Sequence, residues 1–227
     1  MKFFITIFLF LMLAITFSPF ALSSDNKTAI LFEDDFSALK PGMISSGVVG
    51  AHAEYHYIPE TAPKGNWAVS CFSSNQSQRA WRVLIDGGEH VMYQAYSPSK
   101  KERIHTHPMI IAGDELWQDY TFSIEFAPTS DEAQSGVIFR YKNDRCYYFF
   151  GVNGTSVLLK KVNHADSYRT LNEKILDKKD YSLKPGDYVR AEIAVKGNHI
   201  KATLNGKISL EATDSTFSKG KIGLTSD

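Results

Sequence analysis

Arg140, Tyr147 and Lys160 fall at positions that a three-stranded meander would bring into one cross-strand row. Tyrosine offers a flat apolar face with a polar tip, and arginine and lysine offer fixed hydrogen-bond donors. Together they suit a hydroxyl-rich ring such as a sugar, and arginine can also hold a ring carboxylate bidentately. Trp81 and Arg82, followed by Tyr93 and Tyr96, form a second aromatic and cationic group on neighbouring strands, with Trp81 and Tyr93 as its candidate ligand contacts. On a regular strand Trp81 and Arg82 point to opposite faces, so one site cannot use both without a bulge. His105 and His107 share one face of an extended segment, a spacing that fits a metal or a general base. His52 and His56, four apart, share a face in the same way, and no carboxylate or cysteine lies at ligand spacing beside His105 and His107.

The elements that must position these residues are short strands. From Gly136 to Val162 the chain reads as three antiparallel strands. One turn lies within Lys142–Arg145, and the other is Asn153-Gly154, whose residues tolerate positive φ. Pairing Tyr141 with Cys146 and Val152 with Thr155 puts Val137, Phe139, Tyr141, Tyr148, Phe150, Val157 and Leu159 on an apolar face. Ile138, Phe149 and Leu158 go to the other face, with the row Arg140–Tyr147–Lys160. Tyr120 to Phe126 alternates with a period of two, as do Tyr188–Val195 and Ile200–Leu204, the latter ending at the Asn205-Gly206 turn. Further strands are expected at Ile30–Phe36, Ala53–Ile58, Trp67–Phe72, Ala80–Ile85, Val91–Tyr96, Arg103–Ile111 and Lys219–Leu224. Leu171–Leu176 reads equally as a short helix or a strand. Many short strands with turns every 8–12 residues describe an all-β, two-sheet antiparallel sandwich.

With 43% hydrophobic residues in a 227-residue chain, there is enough apolar side chain for a sizeable core. Formal net charge is zero, with 25 Lys+Arg against 25 Asp+Glu, and no basic tract stands out, so nucleic acid is not an expected partner. Lys2 followed by the apolar run Phe3–Phe17, a break at Ser18-Pro19 and Ala21-Leu22-Ser23 reads as a cleaved leader over residues 1–23. The run is about 15 residues, short of the ~20 needed to span a bilayer. Residues 24–227 are therefore expected as one secreted or periplasmic domain, with no membrane contact after cleavage. Cys71 and Cys146 can pair in such a compartment or remain small buried residues. Asn26, Asn75 and Asn153 head Asn-x-Ser/Thr sequons.

Four stretches carry a family resemblance: the opening EDDF; W-x-D-Y-T-F from Trp117; S-G-V-I-F-R-Y from Ser135; and the tail D-Y-V-R-A-E-I-A-V from Asp187 through K-G-K-I-G-L. Together they resemble the concanavalin-A-like and laminin-G-like jelly rolls of bacterial secreted glycan-processing proteins, nearest to the 3-keto-disaccharide hydrolase group. The resemblance implies a jelly roll with its last strand missing, since a strand usually follows G-x-I-G-L and pairs near the opening one. It therefore implies a fragment or leading domain, with the edge beside ILFEDDF exposed. No cofactor is expected, and structural calcium is the one metal the resemblance brings in, with Asp34 and Asp35, beside Glu33 and Asp114, as oxygen donors or as ordinary acidic turn residues. The E-x-D-x-x-E of the glycanases and the Q-I-H of the alginate-lyase-like members are absent, and the strand after S-G-V-I-F-R-Y has no carboxylate.

These readings favour a non-catalytic polysaccharide-binding module, attached to or derived from a polysaccharide-degrading protein. The alternatives are a jelly-roll polysaccharide lyase or glycoside hydrolase acting on an acidic glycan, and an accessory domain that packs on a partner without binding sugar.

Overall fold

The computed structural model describes residues 5–9, 29–45, 64–70, 79–96, 107–163 and 172–226. Its strands in chain order are β1 (Ile5–Leu9), β2 (Ala29–Asp34), β3 (Gly42–Met43), β4 (Ala68–Ser70), β5 (Trp81–Asp86), β6 (Glu89–Gln94), β7 (Met109–Ala112) and β8 (Tyr120–Phe126). They continue with β9 (Gln134–Asn143), β10 (Cys146–Asn153), β11 (Ser156–Asn163), β12 (Asn172–Asp180), β13 (Val189–Lys196), β14 (His199–Leu204), β15 (Ile208–Thr213) and β16 (Lys221–Ser226). The expected strand at 53–58, His52, His56, His105, Cys71, Asn26 and Asn75 lie outside the described residues.

Two large sheets make an all-β sandwich. One runs β15-β14-β13-β8-β1-β2 and the other β12-β11-β10-β9-β16-β7-β4, while β3-β5-β6 form a small third sheet. The main core lies where Phe122, Ile124, Phe126, Ile193 and Leu204 of the first sheet meet Phe139, Tyr148, Phe150, Leu159 and Leu224 of the second. In the first sheet these side chains alternate with exposed or half-buried ones such as Thr121, Glu125, Arg190 and Glu192, so period-two patterning selects its buried face, whereas β9 and β10 are buried on both faces. The segment Leu171–Leu176, ambiguous in sequence, lies largely in the nine-residue edge strand β12, whose apolar Ile175 stays 54% exposed. Its polar composition suits an edge, where one side of the strand faces water.

The position beside the opening strand is filled. β1 pairs antiparallel with β2 through Ile5↔Asp34 and with β8 through Ile5↔Ile124 and Ile7↔Phe122. Part of the segment read as a leader thus supplies the strand expected to be missing there.

The meander differs from its expected form at both turns. The body of the first hairpin keeps the anticipated register, Phe139↔Tyr148 and Val137↔Phe150. Near the turn a bulge intervenes and Cys146 pairs with Asn143 instead of Tyr141. At the second turn Asn153 pairs with Ser156 and Val152 with Val157, leaving Gly154 (φ 60°) and Thr155 as the turn residues. That shift of two preserves the faces but moves the rows, so Tyr147 opposes Val162 and Lys160 opposes Phe149.

Candidate functional site

The row Arg140–Tyr147–Lys160 does not form. Arg140 sits in the bulge at φ 47°, and its side chain turns into the protein, where it is fully buried. Nη1 donates to the Phe217 carbonyl and Nη2 to the Gln118 carbonyl, both at 3.1 Å, and Asp119 lies 3.5 Å from Nη2. The Arg140 N–H donates to the Tyr120 hydroxyl, whose pKa burial pushes up to about 12. The guanidinium is spent on backbone carbonyls, as a buried cation must be. The bulge also flips Tyr141, expected among the inter-sheet residues, to the opposite face, where it hydrogen-bonds Ser70. On that face Tyr141 joins Tyr147, Ile138, Phe149, Leu158 and Val162 in a second buried apolar cluster. Arg140 and Tyr147 therefore occupy opposite surfaces of one sheet, and the face expected to be open is buried. Trp81 is fully buried in the inter-sheet core, its ring away from solvent.

Lys160 has a different company. Its Nζ lies 2.8 Å from Glu173 Oε2 and 5.1 Å from the centre of the Phe149 ring. His107 Nε2 meets the other oxygen of Glu173 at 3.4 Å. Burial alone would raise the Glu173 pKa, but the His107 and Lys160 contacts hold it down at about 2. Glu173 is 66 residues from His107 and belongs to a segment without clear periodicity, so no sequence spacing signals this contact. Among the described residues no group of three or more His, Cys, Asp or Glu is placed to hold a metal ion. Of the expected calcium ligands, Asp34 accepts from the Phe36 N–H (2.7 Å) and from Trp67 Nε1 (2.9 Å), one per oxygen. Exposed Asp35 accepts from the Ser37 N–H. The donors present thus do not make a calcium set. Cys146 Sγ lies 3.8 Å from Asn163 Oδ1.

Tyr93 lines a cleft. The β5–β6 hairpin turns on Gly87 and Gly88, both at positive φ (61° and 89°), and its register places Arg82 opposite Tyr93. Beyond β6 the chain continues to Tyr96, with Ala95 N–H donating to the Ala80 carbonyl at 2.7 Å. Tyr93 and Tyr96, both half-buried, edge a cleft of about 160 Å³ closed by the β8–β9 connection at Pro128, Thr129 and Ser130 and by Ser135 and Ser226. None of the described residues lining it is charged. Ser135 and Ser226 share a hydroxyl–hydroxyl bond of 2.8 Å, and Gln94 Nε2 donates to the Tyr96 and Ser226 carbonyls. Pockets for drug-sized ligands run to ~300–1,000 Å³, so this cleft matches a single ring and not a swallowed oligomer. Tyr93 and Tyr96 are visible in the sequence, whereas the serines reach them only through β9 and β16.

A family profile for the 3-keto-alpha-glucoside-1,2-lyase-like domain matches residues 65–227. The chain belongs to that family, a group of carbohydrate-active jelly-roll domains. No curated protein matches it. Among solved structures it is similar to the carbohydrate-binding module CBM66 from Bacillus subtilis, with 15% identity, TM-score 0.45, and coverage of 65% of this chain and 90% of that one. It is also similar to a Bacteroides ovatus mixed-linkage glucan GH16 in complex with its G4G4G3G product, at 12% identity, TM-score 0.48, and coverage of 87% and 85%. A GH43_12 from a capybara gut metagenome gives 16% identity, TM-score 0.43 and 68% coverage of this chain, but only 34% of that protein's length is spanned.

Proposed function

We propose that this domain binds a glycan in the Tyr93–Tyr96 cleft and performs no chemistry there, and that it works outside the cytoplasm after removal of residues 1–23. The observation that carries the reading is the pair of half-exposed tyrosines over a charge-free cleft furnished with hydroxyls. A sugar ring stacks its C–H face on an aromatic plane and exchanges hydrogen bonds with hydroxyls and carbonyls, and it needs little else. Among the described residues the cleft is lined by no carboxylate or imidazole. Affinity electrophoresis of the full chain through gels of neutral and acidic polysaccharides tests this. Retention on at least one gel is expected, and Tyr93→Ala with Tyr96→Ala abolishes it while leaving the melting temperature within a few degrees. Equal retention by wild type and the double variant on every gel removes the cleft from consideration.

A second reading is favoured by the family description together with the His107–Glu173 contact. A 1,2-elimination on a 3-keto-glucoside needs a base to take the proton from C2, beside the ketone. The C–H electrons then form the C1=C2 double bond as the C1–O bond breaks, and the departing oxygen keeps that bond's electron pair and takes up a proton to leave as the aglycone alcohol. Among the described residues His107, held by Glu173, is a group suited to accept that proton. Release of aglycone from a 3-keto-α-glucoside, lost in His107→Ala, establishes this activity. No release by the wild-type chain excludes it.

A further inference from the structure

We infer that Arg82 makes the Tyr93 cleft selective for glycans that carry an anion on the ring. This rests on the cleft being the sugar site. The register Arg82↔Tyr93 puts both side chains on the outer face of the small sheet, directly opposite one another, where Cβ atoms stand roughly 4.5–5.5 Å apart. Met43 opposes Arg82 from the other side, so the outer face reads Met43–Arg82–Tyr93 across its three strands, and Met43 is 43% exposed. Arg82 is exposed, and its guanidinium makes no ion pair or hydrogen bond among the described residues. That sets it apart from Arg140, spent on the Phe217 and Gln118 carbonyls. Acidic Asp86 and Glu89 pair with each other's position at the hairpin tip, four residue pairs further along. At about 3.4 Å per pair they lie beyond contact range of Tyr93, whose cross-strand partner is Arg82.

The described residues of the cleft contribute no opposing charge. A ring stacked on Tyr93 would therefore meet neutral hydroxyl and carbonyl partners in the cleft and, across the strand pair, the Arg82 guanidinium, which has no partner among the described residues. Arginine holds planar carboxylates through two parallel N–H···O bonds, and it also accepts sulfate esters. A ring-borne carboxylate or sulfate satisfies this arrangement, whereas a neutral ring leaves the guanidinium in water. A merely solvated arginine would show no such linkage to the sugar, and this is the difference the experiment reads.

The full chain is titrated with oligogalacturonate, a sulfated galactan oligomer and a neutral glucan oligomer at 50 and 300 mM NaCl, as wild type, Arg82→Gln, Arg82→Lys and Tyr93→Ala. Tighter binding of one or both anionic oligomers than of the glucan is expected, with affinity falling as salt rises. Arg82→Gln lowers anionic affinity about tenfold and leaves glucan affinity within about twofold, and Arg82→Lys restores part of the loss. Which anionic oligomer responds separates carboxylate from sulfate. Equal loss for anionic and neutral oligomers, or no change in Arg82→Gln while Tyr93→Ala still abolishes binding, overturns the role of Arg82 and leaves the cleft in place. Binding of all three oligomers that survives Tyr93→Ala overturns the cleft and this inference with it.

Discussion

Asp144 lies in the turn between β9 and β10, 4% exposed, with neither carboxylate oxygen hydrogen-bonded. Burial pushes its pKa up to about 6 from 3.8, against the attraction of neighbouring Arg145. Because the folded value is the higher one, the native state binds the proton more tightly than the unfolded chain does. Stability therefore falls as pH rises from about 4 to about 6, and the full cost, on the order of 3 kcal/mol, is present above that window. Asp144→Asn is expected to raise the denaturant midpoint at pH 7 and to lose the advantage at pH 4. An advantage that is equal at both values would show that the carboxylate charge is not its source. At this scale sequence reading went astray at Arg140, whose type suggested a ligand contact. Nothing local announces that the strand bulges there and hands the guanidinium to the carbonyls of Phe217 and Gln118.

The central meander depends on close backbone approach. Gly136 and Gly151 are cross-strand partners, and a Cβ on Gly151 would lie 2.3 Å from the Ser135 carbonyl and 2.7 Å from Gly136 Cα. The Phe149 ring covers the pair, filling the space that two side chains would otherwise take. Gly151→Ala is expected to destabilise by at least the 1–3 kcal/mol typical of overpacking, read from the denaturant midpoint, because backbone cannot rotate away as a side chain can. A loss below about 0.5 kcal/mol would show that the strands separate freely at this point. The strands themselves were legible from alternation: Tyr120–Phe126 and Val189–Val195 bury the residues that period two assigns. The two turns were legible in place but not in register. Asn-Gly marks a tight turn, yet the pairing moved because Asn153 joined the strand and Gly154-Thr155 took the corner.

For the molecule as a whole, residues Ile5–Leu9 face two demands. They belong to an apolar run of leader character, and they also pair with both β2 and β8 in the six-stranded sheet. Intact-mass measurement of the protein exported by a bacterial host separates these demands: a chain beginning at Ser24 is expected. Retention of Met1–Ser23 would make β1 a permanent strand. By itself the sequence determined the all-β class, the inter-sheet residues of most strands and the tyrosines of the hairpin, because alternation and turn chemistry act over a few residues. Tertiary structure alone decided that Arg140 is buried and Arg82 is not, that Glu173 meets Lys160 and His107, and that Ser135 and Ser226 close a cleft under Tyr93. Those outcomes depend on which strands become neighbours and where a strand bulges, and the free energy of such long-range packing is written in no single stretch of chain.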